Sequence, residues 1–201
     1  MAMSDRRGVV IDKDGTLLVD VPYNVDPALM QLTPGAGDAL RTLQAAGYAL
    51  MVASNQSGVA RGYFRLESMA VVRQRLDALV RAEGAELSAF CYCPHHPAGC
   101  RAEFAIACDC RKPEPGLLLE AASIAGCASA ACWMVGDILD DVEAGRRAGM
   151  RTILIANGNE TEWQRLDERV PDHIAGGLAE AARFIVCTDA AARDTASGAR
   201  E

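Results

Sequence analysis

Five short, continuously apolar runs, at residues 9–12, 48–54, 89–93, 132–136 and 151–156, set the pattern of this 201-residue chain. Runs this short and without polar alternation suit strands buried on both faces, as in a parallel sheet. Amphipathic segments lie between them. Residues 34–47 open on Pro34-Gly35 and carry Leu40 and Leu43. Residues 67–83 place Met69, Val72, Leu76, Leu79 and Val80 on one helical face and stop at Gly84. Two further helices cover 115–125 and 141–148. This alternation predicts an α/β fold, a parallel sheet sandwiched by helices with right-handed crossovers. Such sheets bind ligands beyond the carboxyl ends of their strands. The polar residues that end the runs are therefore the candidates: Asp12 and Asp14, Ser54-Asn55-Gln56, Cys93-Pro94-His95, and Asp137.

The chain is half hydrophobic (50%) and long enough for one domain with a sizeable core, but not for two. A single domain is expected over residues 1–187, with the small, polar and charged residues 188–201 as a disordered tail. A net charge of −7 argues against nucleic-acid binding. No apolar run is long enough to cross a bilayer, and the first residues lack the pattern of a secretory leader. The expectation is a cytoplasmic monomer acting on a small molecule, with no membrane partner.

Asp12-Lys13-Asp14-Gly15-Thr16 sets two carboxylates two residues apart at a strand end. An extended backbone points both to one side and Lys13 away, and Gly15 permits a sharp turn. Paired carboxylates repel, and a divalent cation relieves them; magnesium takes oxygen ligands and shares them with substrate phosphate. An EF-hand loop counted from Asp12 fails, because Leu17 stands where Gly is required and Tyr23 where Glu is required.

Together with the other strand ends, this segment resembles the first motif of the haloacid dehalogenase (HAD) superfamily of aspartyl phosphatases. Ser54 matches the second motif, Lys112 in Cys110-Arg111-Lys112-Pro113 the third, and Gly136-Asp137 followed by Asp141 the fourth. The resemblance implies a Rossmann-like, HAD-type sheet and a two-step hydrolysis. Asp12 would be the nucleophile and Asp14 the acid and then the base, with Ser54, Arg111 and Lys112 holding the charge of the phosphoryl group. It also implies magnesium on Asp12, the backbone carbonyl of Asp14, and Asp137. Asp141 is expected either to support that site from behind or to serve as the N-terminal acid of its helix. A non-catalytic phosphate binder on the same fold would lack Asp12 or Lys112, and both are present.

Of eight cysteines, Cys91, Cys93, Cys100, Cys108 and Cys110 crowd one region, while Cys127, Cys132 and Cys187 lie in apolar stretches as expected core residues. In a reducing compartment such a cluster suits a metal better than disulfides. Three thiolates and one imidazole from the Pro- and Gly-containing loop 93–110 would make a closed tetrahedral zinc set that orders a segment with little core of its own. On the residues alone, Cys91 or Cys100 could replace one thiolate and His96 could replace His95. The pattern C-P-H-H-P…C-D-C-R-K-P resembles the heptose 1,7-bisphosphate and histidinol-phosphate phosphatase branch of the superfamily, and that resemblance assigns zinc to Cys93, His95, Cys108 and Cys110. The loop ends at Arg111 and Lys112, so zinc would set where both cations stand.

The run from Ser54 to Gly62 resembles the substrate loop of the heptose branch, which implies contacts from Asn55, Gln56, Ser57 and Arg61. Asp20-Val21-Pro22-Tyr23 occupies the matching flap, adding Asp20 and Tyr23. The stretch between Thr16 and Pro34 is too short for a cap domain, so an open site is expected. Ile138 stands where the heptose enzymes often carry a basic residue. The expected reaction is hydrolysis of D-glycero-D-manno-heptose 1,7-bisphosphate to heptose 1-phosphate. Histidinol phosphate is the alternative substrate, with Asp20 or Asp26 meeting its amine.

Overall fold

Successive residues of the central strands face two different apolar layers, and that alternation builds the sandwich. The computed structural model describes residues 6–164 and 166–198. Its elements run β1 (Gly8–Ile11), α1 (Ala36–Ala45), β2 (Ala49–Asn55), α2 (Ser68–Ala82), β3 (Leu87–Cys93), α3 (Gly116–Ala125), β4 (Cys132–Gly136), α4 (Leu139–Arg147), β5 (Arg151–Ile155), β6 (His173–Ala175) and α5 (Leu178–Gly198). The six strands form one parallel sheet in the order β3-β2-β1-β4-β5-β6. Val9 and Ile11, Leu50 and Val52, and Trp133 and Val135 pack against Leu43 of α1, Leu76 of α2 and Ile185 of α5. Val10, Met51 and Met134 point the other way, onto Leu117 and Leu118 of α3 and Ala144 of α4. Burial on both faces is why the runs are apolar throughout.

The chain fills one side of β1 with β2 and β3, then returns to place β4 on the other side. This reversal opens a crevice at the carboxyl ends of β1 and β4. The Asp12 N–H extends the ladder by donating to the Val135 carbonyl at 2.9 Å, which sets Asp12 beside Gly136 and Asp137. Between β1 and α1 lie only a three-residue turn of 3-10 helix (Pro27–Leu29) and isolated bridges, and residues 94–115 hold no helix or strand. Among the described residues no cap domain covers the crevice.

Two expectations are corrected. Residues 188–198 are not a disordered tail: they continue α5, whose alanines favour helix. Asp189 within that stretch is 5% exposed and accepts from Tyr48 Oη at 2.7 Å and Arg151 Nη1 at 2.6 Å. Residues 199–201, also assigned to the tail, lie outside the described residues, as do 1–5. Cys187 is not a core residue; it is exposed on α5. Strand β6 is too short, at three residues, to show a period in sequence.

Candidate active site

Two strand ends, one helix start and one loop converge on the crevice. Asp12 follows β1, Asp137 follows β4, Asp141 sits in the first turn of α4, and Lys112 enters from the loop before α3. Lys112 Nζ donates to Asp12 Oδ1 and to the Ala53 carbonyl (3.1 Å), and pairs with Asp141 Oδ1 at 2.5 Å. One oxygen from each of Asp12, Asp137 and Asp141 lies within 4.8 Å of the others. Asp141 has two roles in the structure. Its carboxylate joins the cluster, and its Oδ2 also accepts the Ile138 N–H at 3.3 Å near the start of α4. Gly136 makes room, since a Cβ there would meet Asp141 Oδ2 at 2.2 Å.

Burial pushes the Asp12 carboxyl up to about 7; the Lys112 charge opposes the rise, and Asp141 and Asp14 add to it. Burial likewise raises Asp137 and Asp141. For Lys112, burial favours the neutral amine, but the attraction of Asp12 and Asp141 outweighs it and raises the pKa. Three buried carboxylates thus share one ammonium, and negative charge is left in excess. An all-oxygen, over-acidic pocket of this kind fits a magnesium ion.

The Asp14 side chain stands beside this cluster, close enough for its charge to raise the Asp12 pKa. Its Oδ2 accepts from Gln56 Nε2 at 3.0 Å and its Oδ1 from Lys13 Nζ at 2.5 Å. The expectation that Lys13 points away is corrected here: Lys13 is 2% exposed and its ammonium folds back onto its neighbour. Gln56 also donates to Ser54 Oγ at 2.8 Å, so it braces two catalytic candidates. Asn55 is likewise committed within the protein, donating to the Lys112 carbonyl (2.9 Å) and accepting the Lys112 N–H (3.0 Å). These bonds give both amides positioning work at Asp14, Ser54 and Lys112.

The remaining expected substrate residues lie around the rim. Asp20 is exposed and its pKa is raised, by partial burial first and then by the Asp14 charge. Tyr23 adopts φ 56° and meets the Tyr63 ring edge-on at 4.6 Å between centroids. Ser57 is half-buried, and its carbonyl accepts the Arg61 N–H. Arg61 Nη2 contacts His96 Nε2 at 3.0 Å, and its buried Nε has no partner among the described residues. Arg111 is half-buried and reaches the His95 carbonyl at 3.5 Å.

The loop gathers Cys93, His95, Cys108 and Cys110. Cys93 Sγ lies 3.5 Å from Cys108 Sγ and 3.1 Å from Cys110 Sγ, Cys108 and Cys110 are 3.3 Å apart, and His95 Nδ1 is 3.4 Å from Cys110 Sγ. These spacings sit just inside the roughly 3.8 Å that tetrahedral zinc with sulfur bonds would set. The alternatives are placed elsewhere: Cys91 is buried in an apolar layer, Cys100 donates to the Arg61 carbonyl, and His96 faces Arg61. The donor chemistry fits zinc.

Sequence reasoning passed over the loop after β5. Asn157 Nδ2 donates to the Gly15 carbonyl (2.7 Å), Asn159 Nδ2 to Asp137 Oδ2 (2.7 Å), and the Leu139 N–H bonds Glu160 Oε2. The available signal was position: these polar residues follow an apolar run, as Asp12 and Asp137 do.

A HAD-hydrolase-like family model matches residues 109–181. The D-glycero-beta-D-manno-heptose-1,7-bisphosphate 7-phosphatase of Salmonella typhi is 36% identical over 173 residues, covering 86% of this chain and 91% of that protein. The enzyme of the same name from Escherichia coli K12 is also 36% identical over 173 residues, with coverage of 86% and 90%. Among solved structures, one from Mesorhizobium loti described as HAD-like superposes with a TM-score of 0.76 at 34% identity, covering 90% of this chain and 87% of the other. The D,D-heptose 1,7-bisphosphate phosphatase of B. bronchiseptica, complexed with magnesium and phosphate, gives 0.72 at 26% identity, covering 90% and 99%. Identity of this extent, joined to four motifs meeting in one crevice, establishes that the chain belongs to the haloacid dehalogenase-like phosphatases, in the family of the heptose-bisphosphate phosphatases.

Proposed function

We propose that this chain removes the 7-phosphate of D-glycero-β-D-manno-heptose 1,7-bisphosphate through an aspartyl-phosphate on Asp12. The observation that carries the reading is the contact of Lys112 Nζ with Asp12 inside the buried carboxylate cluster. An Asp12 oxygen attacks phosphorus, and the bond from phosphorus to the sugar oxygen breaks. Asp14, partly open to solvent and held by Gln56, gives its proton to that oxygen. Asp14 then takes a proton from water as the water attacks phosphorus; the Asp12–phosphorus bond breaks and inorganic phosphate leaves. Lys112 and the Ser54 hydroxyl sit where they can hold the charge of the transferring group. Magnesium held by Asp12, Asp137 and the Asp14 carbonyl would supply positive charge against that phosphoryl group. Zinc on Cys93, His95, Cys108 and Cys110 would fix the loop that leads into Arg111 and Lys112.

Arg61 and Arg111 flank His96, whose pKa is lowered by burial and then by those two charges. Two guanidiniums so close together suit a second phosphate and would offset the cation absent at Ile138. No helix among the described residues is long and apolar enough to cross a membrane. The thiols gathered at Cys93, Cys108 and Cys110 suit a reducing, cytoplasmic setting. Phosphate release from heptose 1,7-bisphosphate and from histidinol phosphate tests the assignment. The heptose compound is expected to have the higher kcat/KM, and a preference for histidinol phosphate would overturn it.

A further inference from the structure

We propose that Asn159 is a positioning residue for the magnesium carboxylate Asp137, acting from the loop after β5. The inference rests on the metal-dependent reading above and adds a residue that none of the four motifs contains. Both oxygens of Asp137 are held from the side: Oδ1 accepts the Thr16 hydroxyl at 3.0 Å and Oδ2 accepts Asn159 Nδ2 at 2.7 Å. Two donors on two oxygens fix the plane of a carboxylate. They leave its other lone pairs for the cluster shared with Asp12 and Asp141.

A second observation supports this reading. Gly15 has φ 81°, and a Cβ there would lie 2.1 Å from Asp137 Oδ2 and 2.5 Å from Asn159 Nδ2. The missing side chain is the space in which the Asn159–Asp137 hydrogen bond forms. The loop is held at three points around it. Asn157 Nδ2 donates to the Gly15 carbonyl, Asn157 Oδ1 accepts the Asn159 N–H at 3.1 Å, and Glu160 takes the Leu139 N–H. Asn159 is itself exposed, so nothing in the core depends on its side chain. Partners of this kind orient metal ligands and contribute to affinity without touching the metal.

The test is a calorimetric titration of the purified enzyme with magnesium alone, for wild type and Asn159→Ala, with melting temperatures taken in the absence of magnesium. Asn159→Ala is expected to bind magnesium about 10- to 100-fold more weakly. Its metal-free melting temperature and its kcat at saturating magnesium should stay near wild type. Loss of magnesium affinity below about tenfold, or an equal fall in kcat at every magnesium concentration, overturns the positioning role. Wild-type protein that binds no magnesium would instead sink the metal-dependent reading on which the inference rests.

Discussion

Both ends of the Asn55 side-chain amide are committed to the backbone of Lys112, the Nδ2 to its carbonyl and the Oδ1 to its N–H. A residue at the end of β2 thereby fixes where a cation 57 residues later stands. The same lysine reaches Asp12 and the Ala53 carbonyl, so β1, β2 and the loop before α3 are locked together at one ammonium.

Asn55→Ala should therefore act through Lys112. It leaves two backbone groups without partners, at a cost of about 1–3 kcal/mol. It should lower kcat roughly 10- to 100-fold with a smaller change in KM, because the displaced charge acts on the transferring phosphoryl group. Steady-state kinetics checks the split. A rise in KM alone would mean that Asn55 touches substrate after all.

Zinc removal should loosen the same lysine from the other side. Cys93, the last residue of β3, and Cys108 and Cys110, just before Arg111 and Lys112, sit within 4.8 Å of one another with His95. Cys108→Ser is expected to lose stoichiometric zinc in metal analysis and most of its activity, while magnesium alone does not restore either. Full activity in a zinc-free protein would refute the link between loop and site.

Asp189 supplies a prediction remote from the chemistry. Burial raises its pKa, but hydrogen bonds from Arg151 and Tyr48 outweigh that and leave it below the ordinary carboxylate value. A depressed folded pKa stabilises above the unfolded value of about 3.9 and ceases to as pH falls through the folded value. Asp189→Ala should cost only about 2 kcal/mol near neutral pH, because solvent screens the partly exposed Arg7 and Arg151 that pair with it. The gap in melting temperature between wild type and variant should narrow below about pH 4. A gap independent of pH would show that lost packing, not the charge, is responsible.

What could be read from sequence follows from the physics of each residue. Asp12, Ser54 and Asp137 were visible because a polar residue closing an apolar run has few structural excuses. The four candidate zinc ligands stand out because three thiols and an imidazole so close together in sequence suit a tetrahedral metal site. The positioning bonds of Asn55 and Gln56 are not legible in sequence, because residue type says that an amide will bond, not to which partner inside the fold. Asn159 lay just beyond a recognised strand, but its role depends on the missing Cβ of Gly15. Asp189 looked like one more solvated acid in a small-residue segment until the sheet brought Tyr48, Trp133 and Arg151 around it.

The most direct measurement is phosphate release from heptose 1,7-bisphosphate, with magnesium present, by wild type and by Asp12→Asn. The substitution keeps the size of the side chain and removes the attacking carboxylate, so kcat should fall by roughly 10³-fold or more. Turnover by Asp12→Asn at the wild-type rate would contradict the assignment of Asp12 as the nucleophile.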